Sequence, residues 1–178
     1  MKKTSNIENG MILAAGRGNR LRPFTDNLPK PLIEIDSVTM LDRMLNLYNE
    51  AKVTSVVVNT NYLSNLIIRH IKKRKTNPHT VVSYEPQRLD TGGGVANAIS
   101  HLGKDVFVVS NADVIILPGK KGNPIKRLTK NWNFQFMDVL LLICDPKKAI
   151  AYNGNLDFYL KEKQKGILKR KNNKNKNY

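Results

Sequence analysis

Short apolar runs rich in Val and Ile alternate along the chain with segments whose apolar positions recur every three or four residues. The runs are MILAA (11–15), VTSVVVN (53–59), HTVVSY (79–84) and DVFVVS (105–110). Each is bounded by turn-forming residues and is short enough for a strand, and together they read as buried strands. Between them, Met40, Leu41, Met44, Leu45, Leu47, Tyr48 and Ala51 share one helical face, as do Leu63, Leu66, Ile67 and Ile71. Residues 94–102 predict a third, shorter helix. Strand alternating with helix predicts βαβ units, hence an α/β fold with a mainly parallel sheet covered by helices on both faces. Such a sheet binds ligands beyond the carboxyl ends of its strands, which singles out the loops after the first, third and fourth.

Past residue 118 the alternation loosens. NPIKRLTKNW (123–132) predicts a helix starting at Pro124, since proline is tolerated in a first turn. MDVLLLIC (137–144) predicts a strand, and LDFYL (156–160) with KGILKR (165–170) a hairpin. No internal repeat is visible. Residues 171–178 have no apolar periodicity, so the expected organisation is one domain over 1–170 followed by a basic Lys/Asn-rich tail.

Composition fits one domain with a real core: 178 residues, 40% hydrophobic. No apolar run reaches 18 residues, and MKKTSNIENG lacks the apolar stretch of a signal peptide. The expectation is a cytoplasmic protein with no membrane partner. The single cysteine, Cys144, lies in VLLLIC, where a buried inert thiol is expected; disulfides and cysteine metal sites are excluded. His70, His79 and His101 have no metal or triad spacing and read as surface or core residues.

The formal charge of +16 raises nucleic acid as a partner. The distribution argues against it. Residues 161–178 carry a net +7, leaving +9 for the first 160, and a solvated basic end accounts for the excess.

The first loop, in MILAAGRGNRLRPFTDNLPKPL (11–32), places Arg17, Arg20, Arg22 and Lys30 beside Gly16 and Gly18. It is neither a P-loop, having no Gly-Lys-Ser or Gly-Lys-Thr, nor a dinucleotide fingerprint, whose third glycine is replaced by Leu21. A glycine-bearing turn after a parallel strand can offer N–H groups to an anion, with cations to neutralise a polyphosphate. Composition alone leaves a phosphate site and a solvated loop both open.

LAAGRGNRLRPFTDNLPKPL resembles the motif of the sugar-phosphate nucleotidyltransferases, L-A-A-G-x-G-x-R-L-x-P-x-T followed by P-K-P. The resemblance implies a Rossmann-like nucleotide-diphospho-sugar transferase fold and transfer of a nucleotidyl group from an NTP to a sugar-1-phosphate. It implies that the backbone of Ala15, Gly16 and Gly18 holds the nucleotide. Arg20 would stabilise the departing pyrophosphate, and Lys30 would sit by the α-phosphate. Positioning and charge neutralisation are the main devices of such chemistry. Arg17 and Arg22 are left as surface charge or phosphate contacts.

YEPQRLDTGGGVANAI (84–99) runs from a strand through three glycines into a helix, which favours close approach by a planar ligand over a plain turn. The resemblance makes Thr91, Gly92 and Gly93 candidates for base recognition, with Gln87 adding an edge hydrogen bond; Asp90 either caps the loop or touches substrate. VFVVSNADVI (106–115) ends a strand with Asn111 and Asp113. The resemblance assigns Asp113 to Mg2+, although Ala112 stands where the family usually has Gly, and its methyl is a candidate to narrow the site.

The resemblance runs from about Met11 to Arg170. Asp90–Gly94 with Trp132, Met137 and Asp138 points to bacterial N-acetylmuramate-1-phosphate uridylyltransferases, hence to UTP; Asn155 departs from that pattern, where Gly is expected. Mannose-1-phosphate guanylyltransferase is the alternative enzyme. Family members continue with a Tyr-x-Gly strand, sugar-binding residues and a second acidic metal ligand, none present in this sequence. The expectation is therefore a chain truncated at its C-terminus, through slippage in the A-rich stretch encoding KRKNNKNKN. Such a chain would bind a nucleotide weakly, and a nucleotide-binding remnant without activity is the non-enzyme alternative.

Overall fold

The computed structural model describes residues 7–150, 158–160 and 168–170. The chain divides into two compact units at Leu140. In the first, β1 (Asn9–Leu13) leads through a long loop and a small hairpin, β2 (Glu34–Ile35) and β3 (Val38–Thr39), into α1 (Met40–Glu50). There follow β4 (Ser55–Thr60), α2 (Ser64–Lys73), β5 (His79–Tyr84), α3 (Thr91–Leu102), β6 (Phe107–Asn111) and α4 (Pro124–Lys130). Strands β5-β4-β1-β6 form one all-parallel sheet in that order.

The order explains where a ligand site must lie. The chain winds from β1 outward to β4 and β5, then crosses back by α3 to place β6 on the other side of β1. At that reversal the loops after β1 and β6 diverge and leave a crevice. Register is continuous across it, with Leu13 opposite both Asn59 and Asn111.

Val56, Val57 and Val58 are all buried because the sheet is covered on both sides. Ile12, Val56, Val58 and Val108 pack with Leu41, Met44, Leu45 and Tyr48 of α1, Ile67 and Ile71 of α2 and Ile125 of α4. Met11 and Val57 point the other way, onto Ala98 and Leu102 of α3. The helical periodicity read over 40–51 and 63–71 is thus core packing. Helix α1 is started by Thr39, whose side chain accepts from the Asp42 N–H. Helix α4 starts at Pro124, with Asn123 capping it.

Three sequence expectations are corrected. Helix α3 begins at Thr91 instead of 94, because Asp90 accepts from the Gly93 N–H at 2.7 Å and caps it, drawing the three glycines into the first turn. Residues 137–144 join no ladder among the described residues. An apolar run needs a partner for its N–H and C=O groups before it is a strand, and Val139 is 72% exposed. Cys144 is exposed, so burial does not shield its thiol.

In the second unit β7 (Phe158–Leu160) pairs antiparallel with β8 (Leu168–Arg170), the predicted hairpin. Asn155 and the tail at 171–178 lie outside the described residues. No described helix is long and apolar enough to cross a membrane.

Tyr48 fixes how α1 seats on the sheet. Its hydroxyl reaches Met11 O at 3.1 Å, Val108 O at 3.2 Å and Ser110 Oγ at 3.1 Å, tying α1 to β1 and β6. Burial pushes its phenol up, outweighing the opposing effect of the Ser110 bond, and keeps it a donor. Its ring lies against Gly10, where an added Cβ would meet Tyr48 Cε1 and come within 2.7 Å of Cδ1. Gly10→Ala therefore overpacks the core at a cost of about 2 kcal/mol. Thermal denaturation should show the midpoint lowered by about 5 °C; an unchanged midpoint contradicts the close approach.

Candidate active site

The loop after β1 is folded over a buried threonine. Gly18 adopts a left-handed conformation (φ 68°) and opens a short turn over Asn19–Leu21. Its carbonyl accepts from the Leu21 N–H at 2.8 Å and from Thr25 Oγ1 at 3.0 Å. Thr25 is fully buried. The Tyr62 hydroxyl, in the turn between β4 and α2, holds the next stretch through the carbonyls of Thr25 (3.0 Å) and Asp26 (2.8 Å). A second short turn, Lys30–Leu32, buries Pro31 and Leu32 and leaves the Lys30 side chain directed at the end of β6.

There Lys30 Nζ meets Asp113 Oδ2 at 2.6 Å, both side chains partly exposed. The contact closes the sequence-predicted site: a lysine from the first loop and a carboxylate from the end of β6, 83 residues apart, share one end of the sheet. Ala112 is 1% exposed and belongs to the helix-side core, its N–H donating to Leu13 O at 3.0 Å.

The crevice holds a cleft of about 510 Å3, ample for a nucleotide. One wall is the first loop, including Ala15, Gly16, Gly18, Arg20 and Lys30. The second is Asn111, Ala112 and Asp113 at the end of β6, and the third is Arg88 to Thr91 at the head of α3. Most of the predicted residues therefore converge. Gln87, Gly92 and Gly93 do not line the cleft, and the Gly93 N–H is already engaged by Asp90.

Sequence reading did not single out Arg88, which lines the cleft, or Asn59, at the end of β4, which does too. The available signal was their position at or just beyond strand ends that face the crevice. Arg17, Arg20 and Arg88 line the cleft with no carboxylate partner among the described residues, which leaves their charge for an anionic ligand. Arg22, by contrast, pairs with Asp26 at 3.2 Å on the surface.

The glycines differ in what they accommodate. At Gly18 a Cβ would approach Thr25 Cγ2 to 2.9 Å, on top of the positive φ. At Gly94 it would come within 2.8 Å of Asn59 Nδ2 and 2.9 Å of Glu85 Oε1. At Gly16 it would meet nothing within 4 Å, and at Gly92 only Asp90 Oδ1 at 3.7 Å. The protein itself therefore explains Gly18 and Gly94, while Gly16 and Gly92 have room for a methyl.

No group of three or more His, Cys, Asp or Glu gathers among the described residues. Asp113 with the neighbouring Asn111 offers hard oxygen donors from one end of one strand. That suits Mg2+, which binds through one or two carboxylates together with substrate phosphates and water.

Residues 9–152 match the family model described as Nucleotidyl transferase. The N-acetylmuramate alpha-1-phosphate uridylyltransferase of Caulobacter vibrioides is 33% identical over 154 residues, covering 84% of this chain and 63% of that protein. The mannose-1-phosphate guanyltransferase of Schizosaccharomyces pombe is 38% identical over 109 residues, 59% of this chain and 30% of that protein. Among solved structures, HddC from Yersinia pseudotuberculosis complexed with GMP-PN superposes with a TM-score of 0.54 at 28% identity, over 60% of this chain and 48% of that one. The chain thus spans less than two thirds of the length of each of these relatives. With a match over most of its own length and a parallel sheet flanked by helices in the nucleotide-diphospho-sugar transferase fold, the chain belongs to the nucleotidyl transferase family.

Proposed function

We propose that the chain carries the NTP-binding and catalytic loops of a sugar-1-phosphate nucleotidyltransferase that makes an NDP-sugar and pyrophosphate, with UTP and N-acetylmuramate 1-phosphate as its pair, in the cytoplasm. The observation that carries this reading is the meeting of Lys30 and Asp113 at 2.6 Å, in a cleft also lined by Arg17, Arg20 and Arg88. The uridylyl assignment is supported by the Caulobacter relative, whose match extends over 84% of the chain against 59% for the guanyltransferase.

In the reaction a phosphate oxygen of the sugar-1-phosphate attacks the α-phosphorus in line. A new P–O bond forms, the bridging bond to the β-phosphate breaks, and pyrophosphate departs with the electron pair. No protein nucleophile is required. The backbone at Ala15, Gly16 and Gly18 holds the triphosphate, the Lys30 ammonium neutralises charge on the α-phosphate, and Arg20 does so for pyrophosphate. Thr91, with Leu89 and Asp90 before it at the α3 entrance, forms the base side. Asp113 would hold Mg2+, which would supply further neutralisation of the triphosphate charge. Lys30 and Asp113 neutralise each other where they meet, and the long lysine stem lets the ammonium leave the carboxylate for the substrate.

Pyrophosphate release should occur with Mg2+, UTP and N-acetylmuramate 1-phosphate, and fall at least ~100-fold in Lys30→Ala. Turnover with GTP and mannose 1-phosphate instead would select the guanylyl reading, and a folded chain that turns over neither pair would leave nucleotide binding alone. The glycines give an independent check. Gly16→Ala should keep the melting midpoint yet weaken UTP binding, whereas Gly18→Ala should lose about 1–2 kcal/mol of stability, from the strained φ and the Thr25 contact. Equal effects of the two substitutions on the midpoint would remove the distinction.

A further inference from the structure

Between the first loop and the α3 entrance lies a buried polar pair that the reaction above does not use. Asn59, 3% exposed, accepts at Oδ1 from the Ala14 N–H at 2.7 Å and donates from Nδ2 to Glu85 Oε1 at 2.7 Å. Glu85, fully buried just after β5, accepts at Oε2 from the Leu89 N–H at 3.1 Å. Its backbone is held as well: its N–H donates to Thr60 O at 2.8 Å, and its carbonyl accepts from Asn61 Nδ2 at 2.8 Å.

Donor and acceptor roles in this chain are forced. The amide N–H groups of Ala14 and Leu89 can only donate. Ala14 therefore turns Asn59 so that its NH2 faces Glu85, and Glu85 receives donors on both oxygens. Only a side chain with two acceptor atoms completes the chain. Both ends are loop amides, Ala14 where β1 passes into the first loop and Leu89 before Asp90 and Thr91, and both residues line the cleft. Stability alone would be served as well by apolar filling, since buried charge is weak evidence for stability. Gly94 closes over the pair so tightly that a methyl there would strike both side chains.

We propose that Asn59 and Glu85 are positioning residues that hold the phosphate-side loop at Ala14 and the base-side loop at Leu89 in one fixed register for the bound nucleotide. The proposal rests on the reading of the cleft as an NTP site. It makes the two walls one unit: loss of the carboxylate at residue 85 must be felt at Ala14, to which that carboxylate is linked through the Asn59 side chain.

The forced polarity supplies a test. Glu85→Gln sets an NH2 against either the Asn59 NH2 or the Leu89 N–H. Combining it with Asn59→Asp reverses the central bond, so that a carboxylate at position 59 accepts from both Ala14 and the new amide, while Leu89 keeps an acceptor. The double variant has the size and net charge of the parent. Two readouts are taken on the full chain: the Kd for UTP and GTP with Mg2+, and hydrogen exchange at the Ala14 amide by NMR. Glu85→Gln should raise the Kd about tenfold and accelerate exchange at Ala14. The double variant should recover most of both losses, and if Glu85→Gln alone does not fold, recovery of folding and binding in the double variant makes the same point. Unchanged Kd and Ala14 exchange in Glu85→Gln, or a double variant no better than the single, overturns the proposal. A parent chain that binds neither nucleotide overturns the NTP reading instead, and the exchange measurement then decides the coupling by itself.

Discussion

A single run of hydrogen bonds, from the Ala14 amide through Asn59 and Glu85 to the Leu89 amide, is the constraint on which the ligand-facing end of this structure depends. Parallel strands place their outgoing loops side by side without fixing them, because the ladder ends where the strands end. Here the ladder is in effect continued by side chains. Burying a carboxylate costs several kcal/mol. That cost is offset by the two donors on its oxygens, while two further bonds hold its backbone in place. The result is an end of the sheet whose loops are held by partners of fixed donor and acceptor sense.

Electrostatics and packing divide the work on the same loop. Thr25, Pro31 and Leu32 are buried and give the loop its shape, so the arginines that line the cleft are free of structural duty. Lys30 is the exception, held at Asp113. Asp113 offsets the repulsion that Lys30 would otherwise feel from the arginines of the cleft, and both partners become available when a charged ligand offers better ones.

The sheet and its helices were legible because buried parallel strands are continuous apolar runs and each covering helix repeats at 3.6 residues. The first loop was legible because its chemistry is contiguous in sequence, from Ala15 to Lys30. What could not be read depended on partners distant in sequence. Asn59 reads as a polar strand terminus and Glu85 as a turn residue, until β4 and β5 bring them together. The glycines at 92–94 have poor helix propensity, yet one capping carboxylate at Asp90 places them in a helix. Conversely, the run from Met137 to Cys144 has the composition of a strand and lacks a ladder among the described residues, since composition supplies apolar surface and not a neighbour.

The unequal crowding around the glycines also bears on how such a site can diverge. Gly94 and Gly18 answer to the protein's own atoms, so selection on the fold keeps them whatever molecule occupies the cleft. Gly16, which lines the cleft, has open space before it, so a side chain there is limited by the ligand and not by the fold. A change of substrate can therefore add a side chain at residue 16 without overpacking the scaffold, whereas residues 18 and 94 are closed to one.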